Sequence, residues 1–364
     1  MKTNTSILCR LAAVAALVLP AATLPSFAQT TATTDPVGFV TIAVAGNSAT
    51  PGQPAYTFTS IGMTNAVAYQ ASTTQTTGSG NSVGGSSILE DGSSTWATDA
   101  YNGAAAAITH YVEIVSGPGA GTIYDITATS ASGHSLTLSQ PLAAGIISGA
   151  SYKIRPHWTV ASVFGATNQN GLAGGSSTSA DQVQLFVSGG YVTYYYQTSG
   201  FGGTGWRKFG APTVDASSTV IYPDDGIVIA RNQSAATSIV IQGAVKTGQT
   251  SIPVLIGYTL LGNVYAAGMT LNSSGVYTGN SATGVAGGSS TTADQILFWN
   301  PSTSGYDTYY YQTSGFGGTG WRKFGAPTVD ASAASIPVGT GLFINRIGGL
   351  EFNWVAPQHP ASFN

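Results

Sequence analysis

The 25 residues from Thr193 to Ser217, TYYYQTSGFGGTGWRKFGAPTVDAS, recur unchanged from Thr308 to Ser332. Chance does not write such a block twice, so the chain holds one small folding unit in two copies, and its fold must be one that can stand beside itself. The likeness extends past the identical block. Upstream, AGGSSTSADQ from Ala173 to Gln182 returns as AGGSSTTADQ from Ala286 to Gln295, displaced by 113 instead of 115. Downstream the offset of 115 holds, and Ile221, Gly226, Ile229 and Arg231 are answered by Ile336, Gly341, Ile344 and Arg346. The two-residue difference falls where a hairpin tip would absorb it, which predicts turns at Ser188 to Gly190 and at Pro301 to Gly305. Further up, Trp158-Thr159-Val160 resembles Tyr258-Thr259-Leu260, with about a dozen extra residues around Asn272 to Ala282 in the second copy. On this reading the units span 158–245 and 258–357.

What the chain lacks decides its fold class. Charged residues make up 7% of it, against roughly 25% in an ordinary domain. Exposed helix faces are built largely from Glu, Lys and Arg, so a mainly helical protein is excluded. The 48 glycines follow no three-residue period, which excludes collagen, and a hydrophobic content of 43% excludes a disordered chain. An all-β protein remains, with a surface of Ser, Thr, Gly, Asn and Tyr. Within the first unit, strands are predicted at 183–187, 191–197, 206–210, 220–222, 227–231 and 238–241, separated by turn-forming residues at the spacing of a small sandwich or barrel. Thr159 to Phe164 fits either period and can form a helical turn. Ahead of the units, 111–115, 122–128, 135–138 and 151–155 read as strands of a separate region, and Asp35 to Val44 as an opening strand. Ser72 to Ser87 has almost nothing to bury, which predicts a mobile loop. The expected architecture is therefore tandem small β-sandwich or barrel units preceded by a β-rich N-terminal region at 29–157.

Lys2 and Arg10 flank a short basic region, followed by the apolar run Leu11 to Leu24 and by Ser26-Phe27-Ala28. This is the pattern of a cleavable secretory signal, with cleavage expected after Ala28. The sole cysteine, Cys9, would leave with it, so neither a disulfide nor a lipidated cysteine is expected in the mature protein. No later stretch is long and apolar enough for a membrane-spanning helix. A formal net charge of −3 and no basic cluster larger than Arg207-Lys208 disfavour nucleic-acid binding.

Several segments together resemble an uncharacterised family of exported, glycine-rich proteins found mainly in Verrucomicrobia. They are DPVGFV from Asp35, YVEIVSGPGAG from Tyr111, KIRPHW at Lys153 to Trp158, SADQV at Ser179 to Val183, TYYY with GWRKFG, and IYPDDGIVIAR at Ile221 to Arg231. The resemblance implies export and a β-rich body and carries no activity.

Catalytic signatures are sparse. A G-x-S-x-G elbow, a phosphate loop and a dinucleotide fingerprint are all missing from the sequence. His110, His134, His157 and His359 are scattered outside the repeats, without metal-ligand spacing. A glycosidase needs two carboxylates across a bond. The pairs common to both units are Asp181 with Asp294 and Asp215 with Asp330; turns or caps account for them equally well. Asp224 and Asp225 are replaced by Gly339 and Thr340 in the second copy, which excludes a duplicated calcium site. No cofactor or metal is expected. The concentrated signal is the aromatic hairpin of Tyr191, Tyr194, Tyr195, Tyr196, Phe201, Trp206 and Phe209. Alternation puts Tyr194 and Tyr196 on one face and Tyr195 on the other, so one ring face stands exposed unless a further layer covers it. The candidate ligand-binding residues are Tyr194, Tyr196, Trp206 and Arg207, with Tyr309, Tyr311, Trp321 and Arg322 in the second copy. The reading favoured over a ligand-facing surface is that these rings fill a core or pack one unit against the other. The expected function is that of a secreted, noncatalytic structural or adhesive protein, acting on itself or on surface polymers. A tandem carbohydrate-binding module is the alternative, and a polysaccharide hydrolase a distant one.

Overall fold

A computed structural model describes residues 35–47, 53–73, 85–146 and 148–357. The expected signal segment, His359 and most of the expected 72–87 loop lie outside the described residues. Described strands account for the fold as expected: it is all-β. Among the described residues the helices are a three-residue 3-10 turn, Ala104–Ala106, and one short α-helix, Val160–Phe164. That helix starts where Thr159 and Ser162 exchange side-chain and backbone hydrogen bonds, and it stops after five residues at Gly165, whose positive φ leaves the helical path. None of these helices is long and apolar enough to cross a membrane.

Strand pairing revises the boundaries of the first copy. Its strand Ile227–Arg231 pairs with Ala55–Thr59, and Thr237–Ala244 pairs with Val37–Val44. In the second copy, Gly341–Arg346 pairs with Gly257–Gly262 and Phe352–Ala356 with Thr250–Val254. Register makes Val44 the counterpart of Val254, and Thr59 of Leu261. Trp158–Thr159 pairs with Val220–Ile221 as Met269–Thr270 pairs with Ser335–Ile336. Trp158 therefore corresponds to Met269 and not to Tyr258. The hydrogen bonds between Thr270 and Ser273 repeat those of Thr159 and Ser162. A unit beginning at 158 lacks its first two strands, which come from residues 35–65. The β-rich N-terminal region is an insertion, residues 66–156, at a point where the second copy runs directly from Tyr265 to Met269.

Each copy consists of a two-stranded ribbon laid over a larger sheet. In the first copy the sheet has six strands in the order Ala211–Asp215, Gly205–Lys208, Gly190–Gln197, Gln182–Val187, Ile227–Arg231, Ala55–Thr59. The second has five, Gly257–Gly262, Gly341–Arg346, Gln295–Asn300, Gly305–Gln312, Gly320–Lys323. Between ribbon and sheet lies an apolar core, with Ile42, Trp206, Ile229 and Ile239 in the first copy and Ile252, Trp321, Ile344 and Trp354 in the second. The inserted domain is a six-stranded sheet with its own core around Leu89, Ile126, Leu136 and Ile154.

The opposite faces of the two large sheets pack on each other, and the contacts are reciprocal. Ser60 N–H donates to Gly339 O at 3.1 Å, and its counterpart Gly262 donates to Asp224 O at 2.8 Å. Thr59 bridges to Thr340 as Leu261 bridges to Asp225. Val228, Leu260, Leu297 and Phe343 fill the space between, flanked by Phe58 and Phe186. Phe58 stacks on Trp299 at 5.3 Å and Phe186 meets Phe343 edge-on at 5.1 Å. Residue i touching j while the counterpart of j touches that of i is the pattern of a two-fold dimer, here within one chain.

Five of the chain's few charged side chains meet where the insertion joins the first copy. Asp35, just before the first strand, accepts from Lys153 at 2.6 Å and from Arg155. Arg155 also reaches Glu113 at 3.2 Å and Asn65 O at 2.7 Å, and Glu113 pairs with Lys246 beyond the ribbon. Burial pushes the Glu113 carboxyl up, but Lys246 and Arg155 outweigh it and hold the group below its ordinary 4.5. Asp35, likewise opposed by burial, is held below 3.8 by Lys153 and Arg155. Glu113→Gln leaves the buried Lys246 without its carboxylate, while Arg155 keeps Asp35, and is expected to cost about 3–5 kcal/mol at pH 7, read from the urea midpoint at unchanged slope. The wild-type carboxylate contributes fully above about pH 4.5 and loses its contribution as pH falls through the lowered folded value, because the unfolded chain binds the proton more readily. The gap between variant and wild type should therefore narrow by pH 3. A gap that stays constant would show that the carboxylate charge is not what holds the joint.

Candidate functional site

The aromatic hairpin is built on register. Tyr196 lies opposite Trp206, Tyr195 opposite Arg207 and Tyr194 opposite Lys208. The Tyr194–Tyr196 face turns inward. Tyr196 meets Trp206 at 5.5 Å, Phe164 packs on the same indole, and the indole N–H donates to Gly165 O at 2.8 Å. In the second copy Tyr311 meets Trp321 at 5.5 Å and stacks on Tyr277 at 3.4 Å. Tyr194, Tyr196, Trp206, Arg207, Trp321 and Arg322 are buried, and Tyr309 and Tyr311 are half-buried. Of the two readings of these eight residues, the exposed stacking platform gives way to the core. The ribbon and the short helix supply the covering layer that the hairpin's own sequence does not contain, so the rings fill a core.

The other face carries a polar device. Tyr195 OH donates to Gln197 Oε1 at 3.1 Å, and Gln197 Nε2 donates to the carbonyls of Phe201 and Gly203 at 2.7 and 2.9 Å. Arg207, expected to meet a ligand, instead donates to Gly202 O at 2.5 Å and Trp206 O at 2.9 Å, with Asp215 at 3.6 Å. Tyr310, Gln312 and Arg322 repeat the arrangement around Phe316, Gly317 and Gly318. Three successive loop carbonyls are gripped by buried side chains. The loop can take this shape because Gly200, Gly202, Gly203 and Gly205 all have positive φ, where a side chain would be strained. What the device presents is one phenylalanine: Phe201 is 87% exposed and Phe316 88%. Phe209 and Phe324, at the next turn, are exposed as well. The sequence signal for these tips was a bulky apolar residue alone among glycines, with no neighbour able to bury it.

The carboxylates common to both copies serve structure. Asp181 is buried against Arg231 at 2.5 Å and accepts from the backbone N–H groups of Ala173 and Asn232. Asp294 and Arg346 match it at 2.5 Å. Asp215 and Asp330 accept from Ser217 and Ser332 at 2.6 Å.

A cleft of about 700 Å³ lies where the insertion and the two copies meet, and Tyr194 reaches its wall. Asp125 stands in it, accepting from Tyr222 OH at 2.8 Å and lying 2.9 Å from His157 Nε2. Burial pushes Asp224 up to about 6, and burial together with the Asp224 charge pushes Asp225 up to about 8. At neutral pH the pair offers a hydrogen-bond donor beside an acceptor. Among the described residues no group of three or more metal-ligating side chains comes together.

Comparison of the chain with protein-family models, curated proteins and solved structures finds no match in any of the three. Function has to be argued from the geometry alone.

A carboxyl raised in the fold costs stability once the pH passes its unfolded value near 3.8, and the cost is complete above about 8. Asp225→Asn keeps an oxygen for the Tyr222 N–H that Asp225 now satisfies at 2.8 Å. The variant should match wild type near pH 4 and melt a few degrees higher at pH 9. Equal melting temperatures at pH 9 would mean that Asp225 ionises freely.

Proposed function

We propose that this is an exported, noncatalytic contact protein of the cell surface or extracellular matrix, which holds another copy of itself or a surface polymer through its two phenylalanine tips. One observation carries the reading. In each copy a buried Tyr, Gln and Arg are spent on fixing a loop whose product is an outward-facing aromatic ring. Holding an exposed apolar side chain rigid does nothing for stability and lowers the ordering cost of a contact. Two identical tips on one rigid body multiply a weak contact into a firm one. Export is supported by the N-terminal sequence pattern. A noncatalytic role is supported by the structural use of the duplicated carboxylates.

Wild-type protein is expected to show light scattering from assemblies larger than a dimer that grow with concentration, or retention on insoluble polysaccharide. Phe201→Ser with Phe316→Ser should abolish it while leaving the fold intact, since each exposed ring contributes within about 0.5 kcal/mol to stability. Either single variant should weaken the apparent affinity at least about tenfold through lost avidity. Scattering and retention that survive the double substitution would remove the tips from the mechanism.

The paired carboxyls favour a second reading, a carbohydrate ligand in the cleft, where Asp225 as donor and Asp224 as acceptor face aromatic and aliphatic walls. Calorimetric binding of a soluble oligosaccharide should then be present at pH 7 and lost above about pH 8, when the donor is gone. Binding unchanged at pH 9.5 would reject it.

A further inference from the structure

Sheet edges are where two otherwise equivalent parts of the molecule differ. Val37–Val44 has one strand partner, Thr237–Ala244, and among the described residues nothing pairs with its other edge. Val245 N–H donates to Pro36 O, which sets the ladder's phase. The even-numbered residues of the strand face Thr237–Ala244, so the N–H and C=O groups of Val37, Phe39, Thr41 and Ala43 point to the free edge. The second copy has the same ribbon with that edge closed. Ser251, the counterpart of Thr41, donates to Gly121 O at 3.1 Å, and Pro253, the counterpart of Ala43, has no N–H to offer.

The open strand, VGFVTIAV, carries no charge and no proline. Its outward row is exposed throughout, with Val37 at 83% and Phe39 at 69%. Natural edges are normally blunted by lysine, proline or a covering segment; this strand carries neither lysine nor proline, and among the described residues no strand covers its edge. We propose that the free edge of Val37–Val44 is an interaction site for a second copy of this chain, the two strands pairing antiparallel about a two-fold axis. Two facts favour a second copy over another extended segment. An uncharged strand meets itself without opposing like charges, and the apposition continues the existing ribbon. Two marginal two-stranded ribbons become one four-stranded sheet with an unbroken outer row of Phe39 and Thr41 side chains. The dimer would carry four tips, which deepens the contact role proposed above but does not depend on the tips.

Sedimentation velocity of the purified protein is expected to show a monomer–dimer equilibrium in the micromolar range. Ala43→Pro, which copies the second ribbon, and Phe39→Lys should each shift the midpoint at least tenfold toward monomer. The Phe201→Ser, Phe316→Ser protein should dimerise like wild type, and the edge variants should keep tip-dependent retention, so the two ideas fail separately. Hydrogen exchange on unaltered protein serves as the check that needs no substitution: amide protection of Phe39, Thr41 and Ala43 should rise with concentration. A wild-type monomer at ~0.1 mM, a dimer indifferent to Phe39→Lys, or open-ended aggregates of the Phe201→Ser, Phe316→Ser protein in place of a dimer would overturn the proposal.

Discussion

Each large sheet has one apolar face and, on the other, an apolar patch beside its buried tyrosine, glutamine and arginine, so both faces need a partner. The ribbon and the short helix cover one face; the other copy covers the second. Val228 and Phe343 occupy matching positions in the two sheets, and both are buried because the sheets face each other. Losing a ring as large as Phe343 from that layer belongs to the class of change that costs about 3–5 kcal/mol. This layer joins the two copies of the hairpin in one body, which is what would let the proposed pair of tips engage a surface together.

With so little charge to deploy, its placement says which joint packing alone could not hold. The two copies meet through apolar side chains and reciprocal backbone hydrogen bonds. The insertion meets the first copy through Asp35, Glu113, Lys153, Arg155 and Lys246 instead. Ion pairs are poor sources of net stability, but they are directional, and a misdocked insertion would leave buried charges without partners. The network sits where the chain enters the first ribbon, where it leaves toward the insertion at Asn65, and just beyond the end of the ribbon at Lys246. It fixes the angle of the insertion and, with it, the shape of the cleft.

The all-β class, the hairpin turns at 188–190 and 301–305 and a short helical turn near 159–164 were legible because each is written in neighbouring residues: alternation, turn-forming residues, apolar spacing. The division of the first copy was not. A pairing such as Val40 with Ile241 spans some two hundred residues and leaves no local trace. The matching of Trp158-Thr159-Val160 to Tyr258-Thr259-Leu260 rested on three side chains of similar character, whereas register ties Trp158 to Met269. The site was half legible for the same reason. Alternation correctly separated Tyr195 from Tyr194 and Tyr196, but burial depends on which layer arrives from elsewhere. The residues that looked like a platform lie under the ribbon, and the lone phenylalanine between glycines is what reaches solvent.

The boundary of perfect identity between the copies has a physical meaning. Thr193 to Ser217 and Thr308 to Ser332 contain the whole loop device, Tyr195, Gln197, the glycines and Arg207, and the hydrogen bonds that Gln197 and Arg207 make to the loop carbonyls all run within the same segment. A change at any one leaves a buried donor or acceptor unmet, so the block tolerates little drift. Outside it, side chains answer to the opposite copy. There Phe343 answers Val228 and Leu260 answers Phe58 within one cluster, so large and small side chains share the space between the sheets. Difference across the interface and sameness in the tips are thus two consequences of one packing rule, applied once between copies and once within each.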